Sequence, residues 1–302
     1  MTKTDILIVG GGPAGLTAAI YASRAGADVT VIERASIGGQ ITRTREIDNY
    51  PGVPNATGFY LAMAMQEQAE KSGAKIIYDE ISYIDLTSKV ISTAYSGTFT
   101  AGAVILCMGA EPAKLGLPME DAFTGSGVSY CAVCDGAFYR NKITAVVGGG
   151  NTAAEDALYL ANFCEKVYLI HRRDAFRADK VLVEKLKTNE RITILYNHIP
   201  VGLLTGKKVE GLTVENKLTA ESYDLAIDGL FVAVGNLPSS QSVKDQIDTD
   251  ANGYIITDEQ MKTNIRGVFA AGDIRKKHLR QIVTACADGA IGADEAVKYI
   301  KA

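Results

Sequence analysis

The residues of this chain best suited to chemistry are Cys131 and Cys134, spaced as Cys-Ala-Val-Cys and followed by Asp135. Two intervening residues let both sulfurs meet within one turn, so the pair can cycle between dithiol and disulfide. That cycle needs a thiol that ionises near neutral pH, a second thiol that resolves the mixed disulfide, and a group that handles the proton. Asp135 is the expected proton carrier. Its own charge would raise a neighbouring thiol's pKa, so thiolate stabilisation is not its role. Read without chemistry, the three residues are two core cysteines and a turn or capping aspartate. Read as half a zinc site, the pair needs two more ligands. Cys107, Cys164 and Cys286 are scattered, and one of the three histidines, His171, has another use below. No metal is expected.

A redox pair has to be supplied with electrons, and two flanking elements look built to hold the supplier. Near the start, the apolar run Ile6-Leu7-Ile8-Val9 leads into Gly10-Gly11-Gly12-Pro13-Ala14-Gly15 and an apolar helix, and a second strand ends at Glu33. Glycines at 10, 12 and 15 fit the dinucleotide fingerprint in its required strand–turn–helix context. They allow a tight turn, close approach of the pyrophosphate, and close packing of helix on strand. The pyrophosphate would rest on the N–H groups at the helix start. The pattern returns as Ile143–Val147, then Gly148-Gly149-Gly150-Asn151-Thr152-Ala153, with a helix expected from about Ala154 to Ala161 and a strand ending at His171-Arg172-Arg173.

Glu33 and His171 stand at the same offset from Gly10 and Gly148. An acid there accepts hydrogen bonds from ribose hydroxyls and repels a 2′-phosphate. His171, Arg172, Arg173 and Arg177 can instead surround a 2′-phosphate, which would favour NADPH over NADH by roughly ten- to ten-thousand-fold. Two nucleotides are implied, one matched to an acid and one to a basic cluster, and FAD and NADPH fit.

The bulk numbers agree. A chain of 302 residues, 47% hydrophobic, is expected to form two domains. A net charge of −4 without a basic run argues against a nucleic-acid partner. The first residues lack a signal-peptide pattern, and no apolar run is long enough to span a bilayer. The expectation is a soluble cytoplasmic protein without a membrane partner. Cys107, Cys164 and Cys286 are expected to be packing residues, and His198 and His278 surface or satisfied ones.

At these motifs the chain resembles the low-molecular-weight thioredoxin reductases of bacteria, within the class II pyridine nucleotide-disulfide oxidoreductases, over essentially its whole length. The first glycine turn resembles their FAD fingerprint. Ile37-Gly38-Gly39-Gln40 and Asp48-Asn49-Tyr50-Pro51-Gly52 resemble flavin-domain loops. Phe269-Ala270-Ala271-Gly272-Asp273 and Arg280-Gln281 resemble the late flavin motif, whose aspartate binds the ribityl chain. Val133 stands where the family often has threonine.

The resemblance implies an α/β fold of two Rossmann-like three-layer domains. The FAD domain would be discontinuous (1–111 and 239–302), with the NADPH domain and its cysteines inserted (112–238). Gly109, at the end of an apolar strand, precedes one of two short crossovers, near Glu111-Pro112-Ala113 and Asn236-Leu237-Pro238. It also implies a homodimer with thioredoxin-disulfide reductase activity toward thioredoxin or a thioredoxin-like protein, with the NADPH domain rotating between two states. Two alternatives remain: a reductase of the same architecture serving another redoxin or taking electrons from ferredoxin, and a non-catalytic dinucleotide-binding regulator. Arg172 and Arg173 weigh against a ferredoxin donor, and the cysteine pair against the regulator.

Overall fold

The computed structural model describes residues 1–43, 47, 49–54 and 56–302. Its elements begin with β1 (Thr2–Val9), α1 (Pro13–Arg24), β2 (Val29–Glu33), α2 (Gly58–Lys71) and β3 (Lys75–Tyr78), followed by β4 (Ile81–Asp85), β5 (Val90–Thr93), β6 (Thr98–Leu106) and β7 (Ala110–Pro112). The apolar run in β1 sends Ile6 and Ile8 to one core and Leu7 and Val9 to another. A strand buried on both faces belongs inside a covered parallel sheet. Accordingly β1 pairs in parallel with β2 on one side and β6 on the other.

The second stretch carries β8 (Val128–Ser129), α3 (Ala132–Asp135), β9 (Ile143–Gly148), α4 (Asn151–Ala161), β10 (Lys166–His171) and α5 (Lys180–Thr188). Then come β11 (Ile192–Tyr196), β12 (His198–Thr205), β13 (Val209–Asn216), β14 (Ser222–Ala226) and β15 (Gly229–Ala233). A parallel sheet runs in the order β11-β10-β9-β15-β8. One face is covered by α4 and α5 through Leu160, Leu169, Leu186 and Phe231. The other is covered by the antiparallel sheet β12-β13-β14 through Val147, Leu212, Val214 and Leu230. Three layers result.

The chain ends with β16 (Asn236–Pro238), β17 (Val268–Ala270) and α6 (Ile282–Lys301). β17 joins the first sheet by pairing with β6, and α6 packs on α1 in the same core. The first sheet therefore takes strands from both ends of the chain. Two compact units follow, Met1–Glu111 with Leu237–Ala302, and Pro112–Asn236. The crossing strands β7 and β16 form a small two-stranded sheet.

The helix expected from about Ala154 starts at Asn151. Gly150 is its extended N-cap, so Asn151, Thr152 and Ala153 form its first turn. The fingerprint's last three residues serve as helix as well as turn, as Pro13 and Ala14 do in α1.

Candidate functional site

The two glycine turns are built alike. Gly10 has φ +105°, and a Cβ there would collide with the Cys107 carbonyl oxygen of the neighbouring strand. A Cβ on Gly148 would collide with the Ala233 carbonyl oxygen in the same way. Each turn thus lies where its strand meets a neighbour reached by a crossover, the place at which open α/β sheets bind ligands. By contrast, Cβ atoms on Gly12 and Gly150 would meet nothing within 4 Å. Those two glycines cap α1 and α4 without a side-chain hydrogen bond, leaving first-turn N–H groups facing open space. Pro13 occupies the first helical positions of α1, and a Cβ on Gly15 would collide with the Gly10 carbonyl.

Around the first turn, the Glu33 carboxylate accepts from Gly11 N–H at 2.7 Å and from Ala35 N–H at 2.9 Å. It is fixed at the rim with lone pairs to spare. Gly39 lies 3.7 Å, measured from its Cβ position, from Gly12 Cα, and Gln40 beside it is exposed. Asn49 donates to the Gln281 side chain at 3.0 Å, joining its loop to the start of α6. Gly109 has φ +68° and accepts from Ser239 N–H at 3.0 Å. Asp48 lies outside the described residues.

Gly272 (φ +82°) sits so close to α1 that a Cβ would come within 2.8 Å of Ala14 Cβ. The next residue, Asp273, has a buried Oδ1 that makes no hydrogen bond, and burial raises its pKa against the pull of Lys277. The Arg280 guanidinium stacks 4.0 Å from the Tyr254 ring centroid, with its buried Nε also without a partner. Uncapped helix starts, an acid at the rim and two orphaned buried polar groups fit a polyhydroxylated dinucleotide such as FAD.

Around the second turn, one expectation changes. His171 is 5% exposed, and its ring lies directly over Gly149, stacked on Phe176 at 5.0 Å. Nε2–H donates to the Ala175 carbonyl at 2.9 Å. Burial lowers its pKa, the backbone hydrogen bonds to Ala175 and Gly148 oppose that, and Arg173 and Arg177 lower it further. It pins the loop that follows and does not present a cation. Arg177 N–H donates to the Gly149 carbonyl at 2.8 Å, folding that loop back along the turn. Arg172, Arg173 and Arg177 are left exposed around its rim. Asn151 exchanges two hydrogen bonds with Asp179, fixing the starts of α4 and α5 together, and Thr152 is exposed. An anion-accepting helix start ringed by arginines fits a phosphorylated nucleotide such as NADPH.

In the same unit, Cys131 and Cys134 form a disulfide with Cα atoms 5.3 Å apart. Cys131 caps α3, its sulfur accepting from Cys134 N–H at 3.2 Å. A Cβ on Gly136 would press on Leu160, Phe163 and Tyr159 at 3.0–3.3 Å, so glycine lets this short helix seat on α4. Asp135 is raised in pKa by burial, with Ser129 opposing. Ser129, 3% exposed, donates to Asp135 Oδ2 at 2.6 Å and accepts from Cys131 N–H at 3.1 Å. Sequence reasoning missed Ser129, although a hydroxyl two residues before a reactive cysteine was the available signal. It also missed Glu120, 2% exposed, which gathers the N–H groups of Leu115, Gly116 and Leu117 and accepts from the Tyr130 hydroxyl at 2.8 Å. The backbone leading to Cys131 is therefore fixed from two sides. Cys107 and Cys164 are buried core residues, as expected, and Cys286 is half-buried.

A family model described as pyridine nucleotide-disulphide oxidoreductase matches residues 4–289, and the chain belongs to that family. It is 45% identical to a thioredoxin reductase of Peptoclostridium acidaminophilum, covering 99% of this chain and 97% of that one. It is 42% identical to that of Bacillus subtilis, covering 98% and 95%. The solved thioredoxin reductase of Streptococcus pyogenes superposes with a TM-score of 0.92 at 41% identity, covering 99% of both chains. Within the family the chain falls among the thioredoxin reductases.

Proposed function

We propose that this chain reduces the disulfide of thioredoxin at the expense of NADPH, through bound FAD and the Cys131/Cys134 pair. The observation that carries the reading is the disulfide on α3, with a half-buried carboxyl beside it, in the unit that holds the arginine-rimmed turn. Bound NADPH would supply a hydride and bound FAD an electron-pair carrier for the Cys131–Cys134 disulfide.

The roles follow from each residue's surroundings. Gly10, Gly12, Pro13, Ala14 and Gly15 cradle the FAD pyrophosphate, and Glu33 holds its adenosine ribose. Gly39, Gln40, Asn49, Gly109, Gly272, Asp273, Arg280 and Gln281 line the rest of the cofactor. Gly148, Gly150, Asn151 and Thr152 take the NADPH pyrophosphate, and Arg172, Arg173 and Arg177 take the 2′-phosphate with His171 beneath them. Opening the disulfide places two electrons on the sulfurs and requires a proton at one of them. Asp135, protonated more readily than an exposed aspartate, delivers it to one sulfur; the other, as thiolate, attacks the partner's disulfide, and Asp135 takes the proton back from the remaining thiol as that sulfur attacks the mixed disulfide. The partner leaves as a dithiol and Cys131–Cys134 closes again; of the two protons the partner gains, one is the hydride's hydrogen, released once its electron pair has moved on, and one comes from solvent.

The acceptor is thioredoxin or a thioredoxin-like protein. The cysteines and the nicotinamide site belong to Pro112–Asn236, the NADPH domain, and the flavin site to the FAD domain. Rotation of one domain against the other would let each in turn serve one flavin. We assign a homodimer to Phe59, Tyr60 and Met63, which leave α2 61%, 75% and 41% exposed on one short stretch. A cytoplasmic location fits a working dithiol, and among the described residues no helix is long and apolar enough to cross a membrane.

The test is anaerobic reduction by NADPH followed by oxidised thioredoxin, read by flavin absorbance. Bleaching, then recovery that is lost in Cys134→Ser, is expected. Bleaching without recovery would point to another redoxin, and no bleaching would reject NADPH as donor.

A further inference from the structure

Behind the late flavin motif lies a chain of charges that no expectation covered. Arg275 NH1 stands 2.9 Å from Asp288 Oδ1, and Lys277 Nζ stands 3.0 Å from Asp288 Oδ2. Lys277 also reaches Thr284 Oγ1 at 3.4 Å and lies 3.4 Å from Asp273 Oδ1. The side chains of Arg275, Lys277 and Asp288 are 14%, 8% and 9% exposed. Buried charges in such numbers cost desolvation and are retained where they set something in place.

Two things are set. The first is position. Asp288 Oδ2 also accepts from Gly272 N–H at 3.1 Å, tying the turn before Asp273 to α6. A Cβ on Gly289 of α6 would collide with the Ala14 carbonyl, and one on Gly272 would crowd Ala14 Cβ. Three segments therefore meet with no slack. The second is charge. Asp288 has its lone pairs occupied, whereas buried Asp273 Oδ1 faces the Lys277 ammonium alone, at a long 3.4 Å. Lys277 is close enough to stabilise its charge without saturating it.

We propose that Lys277 is a positioning residue for the flavin, holding Asp273 as an ionised acceptor free to take a hydrogen bond from a hydroxyl of bound FAD. The proposal rests on the reading that this motif holds FAD. The groups acting on Asp273 are Lys277, Arg280 on the far side, Asp288 of α6 and the Tyr254 hydroxyl, with Arg275 neutralising Asp288. Burial raises the Asp273 pKa, Lys277 is the strongest opposing influence, Arg280 follows, and Asp288 adds to the rise. Removing Lys277 leaves burial and Asp288 opposed by Arg280 alone. Asp273 then takes up a proton at higher pH, and the charge-assisted bond to the cofactor is lost there.

The experiment measures FAD retention by the holoprotein after ultrafiltration from mildly acid to mildly alkaline pH, alongside thermal unfolding. Lys277→Met is expected to weaken FAD about tenfold near neutral pH and to move the midpoint of retention up by about one pH unit. Lys277→Gln, which keeps a donor but no charge, moves the midpoint likewise, and Lys277→Arg restores it. Arg275→Met, which breaks the Asp288 pair and the 2.9 Å bond to Thr257, lowers the unfolding temperature and, by leaving Asp288 less neutralised, moves the midpoint up by less than Lys277→Met does. An unmoved midpoint in FAD-binding Lys277→Met and Lys277→Gln overturns the proposal while leaving the function intact. A parent protein that takes up no FAD overturns both.

Discussion

At the scale of single residues, the active-site carboxyl and the second-turn histidine both depend on what burial does to charge. Ser129 donates its one hydroxyl proton to Asp135, and that bond stabilises the ionised form against burial. Ser129→Ala is therefore expected to raise the Asp135 pKa, and the limb of the pH–rate profile that Asp135 controls should move to higher pH. Asp135→Asn should slow thioredoxin reduction roughly a hundredfold, within the range that a positioned acid contributes, while bleaching by NADPH proceeds as in the parent. Equal losses in both half-reactions would remove Asp135 from proton transfer.

His171 teaches the opposite lesson. Its sequence position put it in a basic cluster, and the fold places its ring over Gly149, where burial lowers its pKa. On the proposed function, discrimination between the nicotinamide cofactors rests on the exposed arginines. Arg172→Ala with Arg173→Ala should raise the KM for NADPH by about a hundredfold or more and change that for NADH little. Matching changes for the two would exclude a 2′-phosphate contact.

At the scale of elements, the glycine turns separate backbone need from ligand need. Gly10 has a left-handed φ and no room for a Cβ, so Gly10→Ala should lower the unfolding temperature even without cofactor. Gly12 has φ −76° and open space above it. Gly12→Ala should leave the apoprotein's unfolding unchanged and weaken FAD binding, because its Cβ enters space the pyrophosphate needs. Identical effects of the two changes on the apoprotein would contradict this division.

Helix α4 carries a second element-scale test. Asp156 is raised to a pKa of about 7, first by burial and then by Glu155. A carboxyl whose folded pKa exceeds its unfolded value binds more protons when folded. Its contribution to stability is therefore lost as pH rises from the unfolded value toward about 7. Asp156→Asn should raise the unfolding temperature by roughly 5 °C above neutral pH and have little effect in acid. A gain of the same size at both extremes would show that ionisation is not the cause.

At the scale of the whole molecule, the division into two units is what function has to exploit. The strands crossing between units, β7 and β16, pair with each other, which keeps both crossings at one place. If α2 carries the dimer contact, Phe59→Glu with Tyr60→Glu should yield a monomer by analytical ultracentrifugation with FAD still bound. A dimer that survives those charges would move the interface elsewhere.

The chemistry-bearing motifs were legible from sequence because they are local. Cys-x-x-Cys, the glycine turns and the acid-or-base contrast at Glu33 and His171 are fixed by spacing along a strand, turn and helix. The parallel strands leading into the two turns were legible as well, since runs such as Ile6–Val9 and Ala145–Val147 are apolar throughout, whereas the antiparallel pairing of β4, β5 and β6 in the first sheet was not. The start of α4 was misplaced by three residues because a fingerprint's last residues obey turn and helix rules together. What the sequence could not disclose depends on residues distant along the chain. Gln281 meets Asn49, Asp288 meets Gly272, and Glu120 meets Tyr130 only once the sheets have closed. Whether a charge is exposed, paired or neutralised is likewise decided by its neighbours in space. The type and order of the chemical groups were thus written in the chain, while their ionisation, aim and support were settled by long-range packing, which alone determines how much water each group keeps.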